Sequence, residues 1–473
     1  MKITALLKNK YSALIVFSLV SLLVYFNCFS IGFISDDFTY LLGVQQNGWQ
    51  SVTNNFNDDF FLPLTHIVQL IIFTFFGENG TVFHAFQLVV HVAVGWQIYL
   101  LVKENSSSEK TIFPFLCGLI FLVLPYHTES VIWLASVGYL LSLFFSLLSI
   151  RHYLNENYFL FYLYLVLAIF SKEMGYIIPL IIVILDWYQF RIYRLKSNAM
   201  PIGLIVIATL GIRFLVLGSL IGGYGNAIHL NTNLLTLVKV PCVYLLKYIT
   251  FFRYSQSTIL SLLVICLLFG ISIPYIKQLI KIKSKRPVVF ILLIFIATLL
   301  PVINLETTSL FAIQSDRYGY FNAVVFAVAL SQVLTYWKSN FTFLLSILVV
   351  AAFSTLTIQD TFKWKNASII SQQYLSALSR LAIDNSSILI INAPDNYQGA
   401  YVLRNGINDF LKSKNKNVQV SIVNYQTVNS KKWGEETEKD TDYLNKIYSD
   451  NHKKYDQIIY YVNGKFKSIE KQD

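Results

Sequence analysis

The sequence predicts an α-helical polytopic membrane protein with a small C-terminal α/β domain, on three observations. The 473-residue chain is 55% hydrophobic and only 13% charged, a composition typical of chains with many bilayer-length apolar stretches. Those stretches recur between residues 12 and 358, separated by polar turns. The charge then changes character. Residues 1–358 hold 21 Lys and Arg and 13 Asp and Glu, whereas the much shorter stretch 359–473 holds 16 and 13. The contrast divides the chain into a transmembrane domain, 1–358, and a second domain, 359–473.

The first apolar run, residues 12–29, is long enough to span a bilayer, and Lys2, Lys8 and Lys10 before it should stay in the cytoplasm. It lacks a small-residue cleavage site and reads as a retained helix. Residues 30–65 form the first external loop, with acidic pairs at Asp36-Asp37 and Asp58-Asp59. Residues 63–76 are apolar but short, which places them along the interface. Spans follow over 82–102, 112–124, 131–150, 158–170, 176–190 and 200–218. Lys103, Arg151, Arg191, Arg194 and Lys196 mark the cytoplasmic turns between them, and His127-Thr128-Glu129 and Lys172-Glu173 the outer ones. Residues 234–252, interrupted by Lys239, Pro241 and Lys247, read as a kinked, re-entrant or interfacial helix. Spans at 259–275, 288–303, 320–337 and 341–358 complete eleven crossings, with the N-terminus inside and the C-terminus outside.

The tail opens with a helix over 362–381, then a strand at 388–391 and a Pro-Asp-Asn turn. A helix over 400–411 and a strand at 418–423 give a β-α-β pattern, followed by a charged loop, 431–442. Strands at 458–462 and 465–469 flank Asn463-Gly464, a favoured hairpin dipeptide. The four cysteines lie in apolar runs without metal-ligand spacing and read as small core residues. The net charge of +11 comes mostly from cytoplasmic-loop Lys and Arg, so nucleic acid is not an expected partner.

Two adjacent carboxylates at a membrane surface are costly unless they bind a cation, accept a proton or hydrogen-bond a polar substrate. Asp36-Asp37, His127-Thr128-Glu129, Lys172-Glu173 and Asp316-Arg317 each stand at the outer end of an apolar helix. A lone His or Arg there is ordinarily an interfacial anchor. Four such clusters on one side are expected to line one cavity. That cavity suits transfer from a lipid phosphate: a carboxylate serves as general base, while Arg317 and Lys172 hold the leaving phosphate.

Five stretches carry a family resemblance. Phe33-Ile34-Ser35-Asp36-Asp37 resembles the first-loop acidic motif of GT-C type membrane glycosyltransferases. Leu62-Pro63-Leu64-Thr65 with Phe83-His84, Leu124-Pro125-Tyr126-His127-Thr128-Glu129, Ser171-Lys172-Glu173-Met174-Gly175 and Asp316-Arg317-Tyr318-Gly319-Tyr320 resemble, in order, elements of the transmembrane tetratricopeptide-containing O-mannosyltransferase-like proteins and their bacterial relatives. The sequence departs from that family at Leu62, where it has Arg, at 136–139, at Asn322 and in the missing repeat tail. The resemblance implies a GT-C-like fold in the inner cell membrane, a polyprenyl-phosphate sugar donor, and a protein or glycan acceptor in the envelope. It implies Asp36 or Asp37 as base, with His127 and Glu129 placing the acceptor or a cation. Lys172, Glu173, Asp316, Arg317 and Tyr320 then hold the donor phosphate, and His66, His84, Asp58 and Asp59 are acceptor or structural residues. The sequence does not give a metal requirement; if a divalent cation, Mg or Mn, is used, Asp36, Asp37 and Glu129 would hold it. From the residues alone, a transporter or flippase and a non-catalytic envelope assembly factor stay open as alternatives.

The loop charges place the tail outside the cell membrane. A cysteine at Ser430 is expected to react with a membrane-impermeant thiol reagent in intact cells; protection until permeabilisation would reverse the orientation.

Overall fold

The computed structural model describes residues 9–53, 60–106, 112–218, 234–251, 258–303, 315–414, 416–428, 454–462 and 465–470, together with 446, 449 and 451. Asp58, Asp59, the 431–442 loop and the Asn463-Gly464 turn lie outside them. Long apolar runs without internal turn residues become helices. These are α1 (Lys10–Tyr25), α2 (Asp37–Asn47), α3 (Pro63–Phe76), α4 (Gly80–Asn105), α5 (Ile112–Val123), α6 (Thr128–Ile132), α7 (Val137–Leu154) and α8 (Tyr158–Ser171). There follow α9 (Ile178–Gln189), α10 (Ile192–Leu217), α11 (Leu234–Thr250), α12 (Thr258–Lys281), α13 (Arg286–Leu299), α14 (Asn322–Thr335) and α15 (Ser339–Leu381).

Most of these helices are apolar all round, so each buries one face in protein and offers another to lipid. Nearly every side chain of α5 is buried, whereas α10 exposes Met200, Leu204, Ile207, Phe214 and Leu215. The centre is α5 against α4, α1 and α14, and small residues set the spacing there. A Cβ on Gly118 would lie 2.6 Å from the Gly95 carbonyl oxygen and 2.7 Å from the Phe17 ring. Among the described residues, six helical stretches have the length and apolarity to cross a membrane, and a seventh arises if α5 and residues Pro125–Ile132, bent by 55°, form one broken span. The chain is an integral membrane protein. Helices α3, α8 and α14 are apolar but shorter, as is the stretch Arg286–Val302.

Several elements differ from expectation. The first loop contains α2, and Asp37 in its first turn favours the positive end of the helix dipole. Helix α10 starts early enough to absorb Arg194 and Lys196, and α11 continues through Pro241. The span at 341–358 and the helix at 362–381 are one 43-residue helix, α15. No Gly or Pro interrupts it, and Asp360 and Lys363 form an i,i+3 ion pair at 2.8 Å across the expected break. At 1.5 Å per residue it is about 65 Å long, twice a hydrocarbon core of about 30 Å. It therefore continues beyond the bilayer.

At its end stands a five-stranded sheet: β1 (Ser387–Tyr397), β2 (Ala400–Tyr401), β3 (Gln419–Val428), β4 (Gln457–Val462) and β5 (Lys465–Glu470), with α16 (Ile407–Ser413) between β2 and β3. Strand β1 pairs parallel with β3 on one side and β4 on the other, β5 pairs antiparallel with β4, and β2 folds back on the end of β1. The β-α-β unit and the hairpin are as expected. The Pro-Asp-Asn turn is not, because these residues lie within β1, where the register with β3 shifts between Pro394 and Asn396. The chain reverses instead at Gln398-Gly399, with φ of 50° and 94°. The helix expected over 400–411 begins only at Ile407, because Gly406 adopts φ of 85°.

Replacing Gly118 by Ala forces a methyl group against the α4 backbone. The expected loss is about 1–3 kcal/mol, read as a lower unfolding midpoint of the detergent-solubilised chain. An unchanged midpoint would show that α4 and α5 can separate freely.

Candidate functional site

Pro125 and the extended Trp133 interrupt the helical run between α5 and α7, so Pro125–His127, α6 and Leu134–Ser136 form a bent connection at one end of the bundle. Glu129 points from it into the protein, with no solvent exposure. Its carboxylate accepts from the backbone N–H of Arg317 at 2.7 Å and of Ser315 at 3.4 Å, and it forms an ion pair with the Arg317 guanidinium. Ser315 starts this turn at φ of 76°. Helix α11 brackets the turn from the other side. Lys247 pairs with Asp316 at 2.8 Å, both buried, while Tyr244 and Tyr248 donate to the carbonyls of Ser315 (2.6 Å) and Gly319 (2.8 Å).

The Arg317 guanidinium lies 4.9 Å from the centre of the Trp133 ring and 4.5 Å from that of Tyr318, and donates to the hydroxyls of Tyr318 (2.9 Å) and Tyr401 (3.3 Å). The Tyr318 ring meets that of Tyr139 at 6.0 Å, and Tyr139 in turn lies 5.4 Å from the Lys172 amine. That amine also stands 3.8 Å over the Phe60 ring and 3.2 Å from Glu173. Arg213 of α10 reaches Glu173 at 2.9 Å. Burial works against the charge on Glu173, but Lys172 and Arg213 outweigh it and hold the carboxyl below its ordinary range.

The acidic pair is divided. Asp37 is buried and accepts from the backbone N–H of Ala135 (2.8 Å) and of Ile34 (3.1 Å), fastening the first loop to the bent connection. Asp36 is half-buried and accepts from the Asn405 side chain at 2.7 Å. Burial raises both carboxyls above the ordinary range. For Asp36 this is opposed by the Asn405 hydrogen bond and by the nearby Arg317 and Arg404, and for Asp37 by its two N–H donors.

Glu129 and Arg317 are thus in direct contact, Arg317 lies in the field of Asp36, and the Lys172–Glu173 pair is linked to them through the Tyr139 and Tyr318 rings. Asp316 turns away to Lys247. His127 is enclosed by the rings of His91, Phe121 and Tyr320, with centroids 5.4, 4.4 and 4.7 Å away, and the Tyr320 hydroxyl meets His91 Nδ1 at 2.8 Å. His84 Nε2 lies 3.1 Å from the Ile31 carbonyl, and the buried His66 ring lies 6.1 Å from that of Tyr40, so both brace the first loop. Among the described residues, no three His, Cys, Asp or Glu side chains are grouped to hold a metal ion. Asp37 and Glu129 already direct their oxygens at N–H groups and Arg317, a poor fit to the expected cation.

Residues outside the sequence reading complete the cluster: Trp133, Lys247, Tyr401, Arg404 and Asn405. Lys247 reads in sequence as an interruption, and Tyr401 to Asn405 fall in the expected helix. Asn405-Gly406 is a turn dipeptide and was the available signal. Beside Asp37 lies a small cavity of about 20 Å³ lined by Tyr40, Gln69, Phe83 and Leu134. A groove of about 440 Å³ runs between the first loop, α15 and α16, past Phe33, Phe38, Gln372 and Phe410.

These features define a polytopic helical membrane protein whose polar cluster is shared by the bundle and the C-terminal sheet domain. No protein-family model matches the chain, and no curated protein matches its sequence. Among solved structures it is similar to ArnT from Cupriavidus metallidurans, a crystal structure bound to undecaprenyl phosphate. The identity is 11% and the TM-score 0.49, over 94% of this chain and 92% of that one.

The different surroundings of Asp36 and Asp37 give opposite expectations for stability. Asp37→Asn turns an amide N–H toward a backbone N–H and should cost about 1–3 kcal/mol, while Asp36→Asn should change stability by under about 0.5 kcal/mol. Thermal unfolding in detergent measures both, and the reverse ranking would contradict the assignment.

Proposed function

We propose that the chain is a GT-C type glycosyltransferase, moving a sugar from a polyprenyl-phosphate carrier to an acceptor hydroxyl on the outer face of the cell membrane. The observation that carries this reading is the Arg317 guanidinium, fixed by Glu129 and aromatic rings and close enough to Asp36 to favour its charge. The motif resemblance at the same residues supports it. In this mechanism the acceptor oxygen attacks the anomeric carbon as the bond to the carrier phosphate breaks. Asp36 takes the hydroxyl proton. The departing phosphate carries the bond's electron pair, and Arg317 and Lys172 stabilise its charge. Arg213 and Lys172 face the single acid Glu173, leaving a local excess of positive charge for that phosphate. Asp37 holds the loop in place, and Glu129 orients Arg317. The domain beyond residue 359 stands on the outer side.

The test is transfer by the reconstituted full chain from a panel of polyprenyl-phosphate hexoses. Asp36→Asn should lower kcat by about 10²- to 10⁴-fold with expression unchanged. Arg317→Lys keeps the charge but loses the planar fork, so KM for the donor should rise. Undiminished transfer by Asp36→Asn would remove Asp36 as the base.

A further inference from the structure

The C-terminal domain meets the membrane domain at the residue preceding Asp36. Ser35 has φ of 48°, a left-handed conformation that a non-glycine residue adopts only at a cost. Two hydrogen bonds from the tail hold it there: its N–H donates to the Val402 carbonyl at 3.2 Å, and its hydroxyl accepts from the Asn405 N–H at 3.3 Å. Gly406 follows, so close that a Cβ would stand 2.2 Å from the Ser35 carbonyl oxygen. Thr39 donates to Asp409 at 2.5 Å, and the Phe38 and Phe410 rings meet at 5.3 Å.

The loop making these contacts is itself braced. Val402 and Leu403 donate to the carbonyls of Asp395 (2.9 Å) and Pro394 (3.1 Å) in the irregular end of β1. Arg404 is held by both oxygens of Asp395, at 2.8 and 2.9 Å, and lies 5.0 Å from the Tyr401 ring centre. Tyr401 sits 4.8 Å from Trp133. A loop so fixed delivers the Asn405 amide to Asp36 Oδ1 at 2.7 Å.

We propose that the C-terminal domain is an integral part of the site: it clamps Ser35, and Asn405 is a positioning residue that orients the Asp36 carboxylate. One Asp36 oxygen is engaged by the amide, and the other is left for the acceptor. The role of Asp36 toward substrate rests on the function proposed above; the clamp and the orientation do not.

Two measurements on the full chain need no substrate. Gly406→Ala should speed amide hydrogen exchange at 35–37 by ~10-fold or more while α4 and α5 stay protected, since it removes the docking contact. Unchanged exchange there would overturn the clamp. Asn405→Leu keeps the backbone contacts, so exchange should hold while carbodiimide labelling of Asp36 rises severalfold, and Asn405→Gln should restore protection. Equal labelling in all three proteins would overturn the positioning role. In the transfer assay, Asn405→Leu should lower kcat by ~10-fold or more with donor KM unchanged, as expected for loss of a hydrogen bond to a charged group. A parallel rise in KM would make Asn405 a binding residue instead. If the unaltered chain transfers no sugar from the panel, the function falls while exchange and labelling still decide the clamp and the orientation.

Discussion

A carboxylate sealed from water at the end of a membrane bundle governs this architecture. Even after relaxation, burying such an ion costs several kcal/mol, a large share of the roughly 5–15 kcal/mol that holds a typical domain folded. Glu129 must therefore be answered, and the answer comes from 186 residues further along the chain. Arg317 supplies the charge, and the N–H groups of Ser315 and Arg317 supply the rest. The left-handed Ser315 and the sharp turn then leave Asp316 buried on the opposite side, where it needs a cation of its own. Lys247 of α11 provides it. One buried acid thus fixes the 315–320 turn, and the turn fixes α11.

The same constraint shapes the chemistry open to Arg317. Part of its guanidinium is committed to Glu129, and its flanks lie near Trp133 and Tyr318, so its orientation is set before any ligand arrives. Asp37 and Asp36 divide in a comparable way. The first satisfies both oxygens on backbone N–H groups and belongs to the frame. The second keeps partial exposure, a single strong donor and two cations in its field, which suits a group that must exchange a proton.

Much of the fold was legible because apolar runs have ends. Residues 63–76 and 112–124 become helices almost to the residue, since Pro and Gly or polar turns bound them. The polar clusters at helix ends were legible too, because charged residues interrupt apolar runs. What could not be read was pairing. Nothing local in the sequence says that Lys247 answers Asp316, or that Glu129 serves Arg317 ahead of a substrate. The tail was misread where a turn dipeptide sat inside an apparently helical pattern, and Asn405 was lost with it. The continuous α15 was missed because a change in charge density was taken for a break, although charge alone does not interrupt a helix.

That continuity decides how the sheet domain reaches the site. A flexible linker would leave the domain to find Asp36 by diffusion, paying the entropy of docking each time. Helix α15 contains no Gly or Pro and is fastened to the bundle along its length. Thr357 donates to the Val123 carbonyl at 2.7 Å, Asn27 to Thr361 at 3.0 Å, and the Gly32 N–H to Ser368 at 2.8 Å. The last of these lies on the first loop itself, three residues before Ser35. Loop and stalk are thus joined below the point where the tail returns to clamp the loop from above. The left-handed backbone at Ser35 is held between two rigid supports, so its strain can persist without a glycine.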